Sequence, residues 1–125
     1  MKLEYIHSGS QDCPLIRLYE FNAAEIASLR ALVKSLAGGS LQSIVVDELE
    51  GVEAIRGCRM TLRLGMRDEG ARHGEVDHFE CVLTSLKWHN IEDLLEPFSE
   101  SNSNGFQWLD RSGPISLLIS RDGRW

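Results

Sequence analysis

The stretch Cys58-Arg59-Met60-Thr61-Leu62-Arg63-Leu64-Gly65-Met66-Arg67 decides the fold. Met60, Leu62, Leu64 and Met66 fall on one side of an extended chain, and Arg59, Thr61, Arg63, Gly65 and Arg67 on the other. That period of two marks a strand with one buried and one solvated face. A polar segment with two glycines follows, residues 68–76, and then a second candidate strand, residues 78–88, whose Phe79, Cys81 and Leu83 can join the methionine and leucine face. The pair reads as two strands joined at a polar tip.

The flanking sequence extends this pattern in both directions. Upstream, residues 41–49 form a candidate strand around Ile44-Val45-Val46. Before it, Asn22 is placed to cap a helix, with Glu25 completing a capping box, and Ile26, Leu29, Val33 and Leu36 recur at helical spacing until Gly38-Gly39. Residues 2–7 and 15–21 are two further strands, separated by the turn cluster Ser8-Gly9-Ser10. Downstream, Asn90 is the expected cap of a short helix through Ile91, Leu94 and Leu95, limited by Pro97. The chain then reads as a hairpin, residues 106–109 and 114–120, around Asp110-Arg111-Ser112-Gly113. The expectation is a single α+β domain over 1–125. It has a mainly antiparallel sheet of about six to seven strands, with one long and one short helix packed on one face.

Composition narrows the function classes. With 13 Lys and Arg against 19 Asp and Glu the formal charge is −6, and 42% of residues are hydrophobic. This is the make-up of a soluble globular domain. No apolar run exceeds three residues, whereas a membrane span needs about 20 and a signal peptide about 7–15, so neither is expected. Three widely spaced cysteines, Cys13, Cys58 and Cys81, are an odd number and suit free thiols in a reducing, cytoplasmic setting. The acidic balance works against nucleic-acid binding, which draws its affinity from neutralising phosphates.

Motifs for chemistry are sparse. His73, Asp77, His78 and Cys81 are metal-competent, but their spacing fits no known ligand signature, and His78 and Cys81 would face opposite sides of a strand. No metal or other cofactor is therefore expected. No serine lies in a nucleophile elbow and no glycine-rich phosphate cradle opens a helix. Cys58, next to Gly57 and Arg59 with Arg56 nearby, is the least implausible reactive thiol, although small buried cysteines are common. Trp88, Trp108, Trp125 and Phe106 could stack on bases or sugars, but without interleaved basic residues they read better as packing.

The arginine stripe is the one ligand-site candidate. Arg59, Arg63 and Arg67 share a strand face, and a guanidinium fork suits bidentate capture of a carboxylate or phosphate. Successive arginines are about 13 Å apart, too far for all three to grip one small anion. Pairing with acids is the favoured reading: Asp47, Glu48, Glu50 and Glu53 precede the stripe, and Glu80 has the parity to face it.

Two functions of different class follow. Leu15-Ile16, Ile44-Val45-Val46 and Leu117-Leu118-Ile119 are apolar on both strand faces and need cover on both sides. That favours a non-catalytic binding or protein-interaction domain, an inhibitor- or immunity-like partner, with a twofold homodimer the expected assembly. The alternative is a small-molecule-binding protein or small enzyme with a pocket in a curled sheet, lined by Arg63, His78 or Trp88.

Overall fold

The computed structural model describes residues 1–75, 78–100 and 104–125. Its elements run β1 (Lys2–Ile6), β2 (Leu15–Tyr19), α1 (Ala23–Ala37), β3 (Ser43–Val45), β4 (Glu53–Ala54), β5 (Arg59–Leu64), β6 (Gly70–His73), β7 (His78–Leu83), α2 (Ser85–Leu95), β8 (Phe106–Asp110) and β9 (Ser116–Ser120). The class is α+β. The strands form two mixed sheets in place of the single, mainly antiparallel sheet the sequence suggests: β4-β1-β2-β9-β8 and β3-β5-β7-β6.

The first helix forms where local chemistry places it. Asn22 Oδ1 accepts from the Glu25 amide at 2.8 Å, and the Asn22 amide donates to Glu25 Oε1 at 3.0 Å. These reciprocal bonds satisfy two backbone donors that the helix itself cannot. Ile26, Leu29, Val33 and Leu36 are buried, and Gly39 takes a positive φ of 84° just past the end.

The second sheet departs from the expected hairpin. β5 and β7 are parallel neighbours, paired from Arg59 with His78 to Leu64 with Leu83. The polar residues expected at the tip supply β6, which pairs antiparallel to β7 on its far side. β7 is thus threaded between two strands that precede it. Alternation fixes which side chains share a face but not the direction of the neighbour, so the same pattern serves either pairing. The crossing loop is held by backbone bonds from Gly65 N to Leu83 O (3.0 Å) and from Glu69 N to Val82 O (2.9 Å).

The strand expected to reach residue 88 stops at Leu83. Thr84 caps α2, its hydroxyl accepting from the Lys87 amide, and Asp68 Oδ1 takes both the Thr84 amide and hydroxyl at 2.9 Å. Trp88, Ile91 and Leu95 then form the buried stripe of a helix, while Asn90, the expected cap, lies within it. The segment 41–49 is likewise shortened to the three residues of β3 before a 3₁₀ turn.

The two helices pack on each other, α1 against β3 and β5 and α2 against β8. One core joins them to both sheets, with Leu3, Ile16 and Leu117 from the first, and Met60, Phe79 and Cys81 from the second. The sheets also touch directly. Ile115 N donates to Ala71 O at 3.1 Å, bridging β6 to the residue before β9. At this seam a Cβ on Gly113 would lie 2.7 Å from Ala71 O and 2.8 Å from Glu69 O, and one on Gly70 only 2.2 Å from Gly113 N. Two glycines are what let the backbones approach. Gly113→Ala should therefore destabilise the fold by about 1–3 kcal/mol, read as a lowered denaturant midpoint, because backbone cannot step aside as a side chain can.

The outer face of the first sheet is covered by the chain itself. Arg17, paired across the ladder with Leu118, is bound to Glu4 at 2.6 Å and lies 4.0 Å from the Tyr19 ring centroid. Residues 121–125 fold back beside it: Arg17 donates to Gly123 O, and the Ser120 hydroxyl donates to Arg124 O at 2.6 Å. Leu118 is 0% exposed as a result. In the last of the three doubly apolar stretches, Leu118 thus lies buried within the single chain. Leu118→Ala should cost about 2–5 kcal/mol. Its unfolding midpoint, like that of the unaltered chain, should not move with protein concentration, as it would if a second copy supplied the cover.

Candidate functional site

A cleft of about 600 Å³ opens around the end of β1, between it, the turn after β4, the end of β6 and the start of β7. On β1 the alternation that buries Leu3 turns Tyr5 inward, and one step past the strand end brings His7 to the same side. From the other sheet come His73, at the end of β6, and Phe79, its partner on β7. The Tyr5 ring lies 4.5 Å from Phe79 and 5.5 Å, edge-on, from His73, centroid to centroid. The Tyr5 hydroxyl is 3.3 Å from His7 Nδ1 and 3.5 Å from His73 Nε2. Partial burial, with a smaller contribution from Cys13, pushes the phenol up from its ordinary value, so it remains a proton donor at neutral pH.

The turn after β4 forms another wall. Arg56 sits there at φ 53°, ψ 32°, a left-handed conformation that is uncommon outside glycine, and Gly57 follows at φ 71°. The Arg56 side chain is exposed, and no carboxylate lies within 4 Å of it among the described residues. Glu4 also borders the cleft, but its Oε1 is occupied by Arg17 Nε and Nη2 at 2.9 and 2.6 Å.

Cys58 lines the same cleft without serving as a nucleophile. Burial first, then the nearby carboxylates of Asp47 and Glu4, push its thiol up to about 12. At neutral pH it is a protonated, nearly inaccessible thiol, the opposite of what thiolate chemistry requires. Cys81 is pushed up as well, by burial and by Asp110.

The arginine stripe is divided by the structure. Arg59 Nε lies 3.7 Å from Asp47, and Arg63 Nε donates to Glu80 Oε1 at 3.0 Å across β5 and β7. Between them Thr61 is buried, its hydroxyl 2.6 Å from His78 Nε2. Arg67 lies beyond the end of β5, in the crossing loop. The three are not brought together around one point. Arg63 does border a second, polar depression of about 540 Å³ with Arg72, His78 and Glu80.

The other sequence candidates separate too. His73 and Cys81 belong to the core-facing side of the second sheet and His78 to its outer side. Asp77 lies outside the described residues. Among those described, no three His, Cys, Asp or Glu side chains gather as a metal site would require. Trp88, expected on a strand lining a pocket, is instead buried on α2, where its indole N–H donates to Arg63 O at 2.9 Å. Phe106 and Trp108 meet edge-on at 6.4 Å on the outer face of the first sheet, with Arg111 stacked 4.1 Å from the Trp108 ring.

Tyr5 and Arg56 are the cleft residues that the sequence conceals. Tyr5 reads as one residue of an ordinary strand, and Arg56 as one of several basic residues near the stripe. That they border one cleft with His73 depends on long-range pairing. No helix of the described residues is long and apolar enough to cross a membrane. Comparisons with protein families, curated proteins and solved structures find no match to this chain.

The thiols offer a direct check of the cleft's chemistry. With Cys58 and Cys81 buried and Cys13 partly exposed, a disulfide reagent at neutral pH should titrate about one thiol in the native protein and all three after unfolding. Rapid native modification of Cys58 would show a thiolate where the geometry requires a thiol.

Proposed function

We propose that this protein is a non-catalytic binding protein whose ligand is a small molecule held in the cleft between the two sheets. The reading is carried by the convergence of Tyr5, His7 and His73 on one concave site with an aromatic floor at Phe79. Ligand sites are typically clefts of about 300–1,000 Å³ with a few polar groups set among apolar and aromatic ones, and this cleft falls within that range. Binding is favoured over catalysis by the state of the reactive groups. The thiol is held protonated and the bordering carboxylate is tied to a guanidinium, so neither is set up as nucleophile or base.

A protein partner is the second reading, favoured by a different place in the fold. Met66 is 95% exposed in the crossing loop and Leu86 72% exposed in the first turn of α2. Asp68 joins these two segments through its bonds to Thr84, and Arg67 stands beside Met66. Exposed large apolar side chains next to charge suit a contact surface.

A fragment screen by amide-resolved NMR on the full chain separates the two. Shifts gathered at Tyr5, His7, His73 and Phe79, with affinity falling at least about tenfold in His73→Ala, are expected for a ligand cleft. Perturbations gathered at Met66 and Leu86, or scattered without saturation, would contradict it.

A further inference from the structure

We infer that the ligand of this cleft is an anion, a small organic carboxylate or phosphate ester, anchored by the Arg56 guanidinium. The inference rests on the cleft being a ligand site, and it names the class of ligand. The cation is the first observation. Seven of the ten arginines lie within 4 Å of a carboxylate, and Arg121 donates to the carbonyls of Phe98 and Glu100. In a chain with 19 acidic residues against 13 basic ones, cations are readily paired. Arg56 and Arg67 have no such partner among the described residues, and of the two it is Arg56 that borders the cleft holding Tyr5 and Phe79.

Charge and hydrogen-bonding capacity agree with that choice. The cleft is lined by two guanidiniums and a single carboxylate, and the Glu4–Arg17 pair cancels, leaving a local positive charge in a molecule of net −6. A guanidinium carries five N–H donors, and the phenol and each imidazole can add another, whereas the one full-charge acceptor is already taken. A donor-rich wall selects an acceptor-rich ligand, and carboxylate and phosphate oxygens match the guanidinium fork. Phe79, Ile6 and Ile55 leave an apolar side for the carbon body.

The backbone supplies an independent argument. A non-glycine residue in the left-handed region is strained, and such strain gathers where a side chain must be aimed. Glycine would hold this turn without penalty, yet arginine stands at φ 53°. That contrast makes Arg56→Gly an unusual probe: it should leave the fold at least as stable while removing the anchor.

The test titrates the full chain with benzoate, benzamide, benzylamine and phenyl phosphate, following the amides of Tyr5, His7, His73 and Phe79. Benzoate or phenyl phosphate should bind at least about tenfold more tightly than benzamide, benzylamine should be weakest, and added salt should weaken the anions alone. The preferred anion tells a carboxylate ligand from a phosphate one. Arg56→Gly should lose about 10–100-fold in anion affinity with an unchanged or higher melting temperature, and Arg56→Lys should recover part of the loss. If benzamide binds at these residues as tightly as the anions, or if Arg56→Gly binds them undiminished, the anion inference falls and the ligand cleft stands. If none of the four probes moves these residues, both fall.

Discussion

The contact of two glycines sets the geometry of this molecule. Gly70 and Gly113 bring β6 and the approach to β9 so close that neither could carry a side chain, and the Ile115–Ala71 hydrogen bond locks the seam. With the sheets joined there, their apolar faces close on one core together with the two helices. From the seam, β6 runs only two more residues to His73, so the same contact positions His73 and Phe79 opposite Tyr5. The cleft is the open end of a wedge whose hinge is backbone against backbone. Packing interactions tolerate adjustment by repacking, but a hinge of this kind does not.

Legibility in the sequence follows the range of the forces involved. The first helix is legible because its cap, its apolar stripe and its glycine stop all act within a few residues of one another. The β8–β9 hairpin is legible for the same reason, with its turn residues contiguous at 110–113. The pairing of β5 with β7 is not, since alternation sorts faces and is silent on direction and neighbour. β6 is hidden by its composition: an edge strand of Gly, Ala, Arg and His carries little alternation to read. The start of α2 is obscured because Phe79, Cys81 and Leu83 run directly into Trp88, so a strand pattern and a helix pattern share one apolar stretch. Thr84, a good cap, is the signal that separates them.

Sites divide along the same line. The arginine stripe is visible because its members are neighbours in sequence, and Arg59 and Arg63 stand beside acids that the sequence also offers, Asp47 and Glu80. The cleft is assembled from residues near positions 5, 56, 73 and 79, drawn from two sheets, and has no local motif to announce it. Its chemistry is likewise a product of tertiary structure. Burial turns Cys58 from a candidate nucleophile into an inert thiol, Arg17 silences Glu4, and Arg56 remains a cation of the cleft with no carboxylate within 4 Å among the described residues.

The central claim is that the two sheets meet so as to place Tyr5 of one against His73 and Phe79 of the other. Aromatic-resolved NOE spectroscopy of the full chain in solution measures this most directly. The account predicts cross-peaks from the Tyr5 ring protons to the rings of both His73 and Phe79, as their centroid separations of 5.5 and 4.5 Å require. A Tyr5 ring that shows cross-peaks only to its neighbours on β1 and β2 would mean that the wedge does not close and that the cleft does not form.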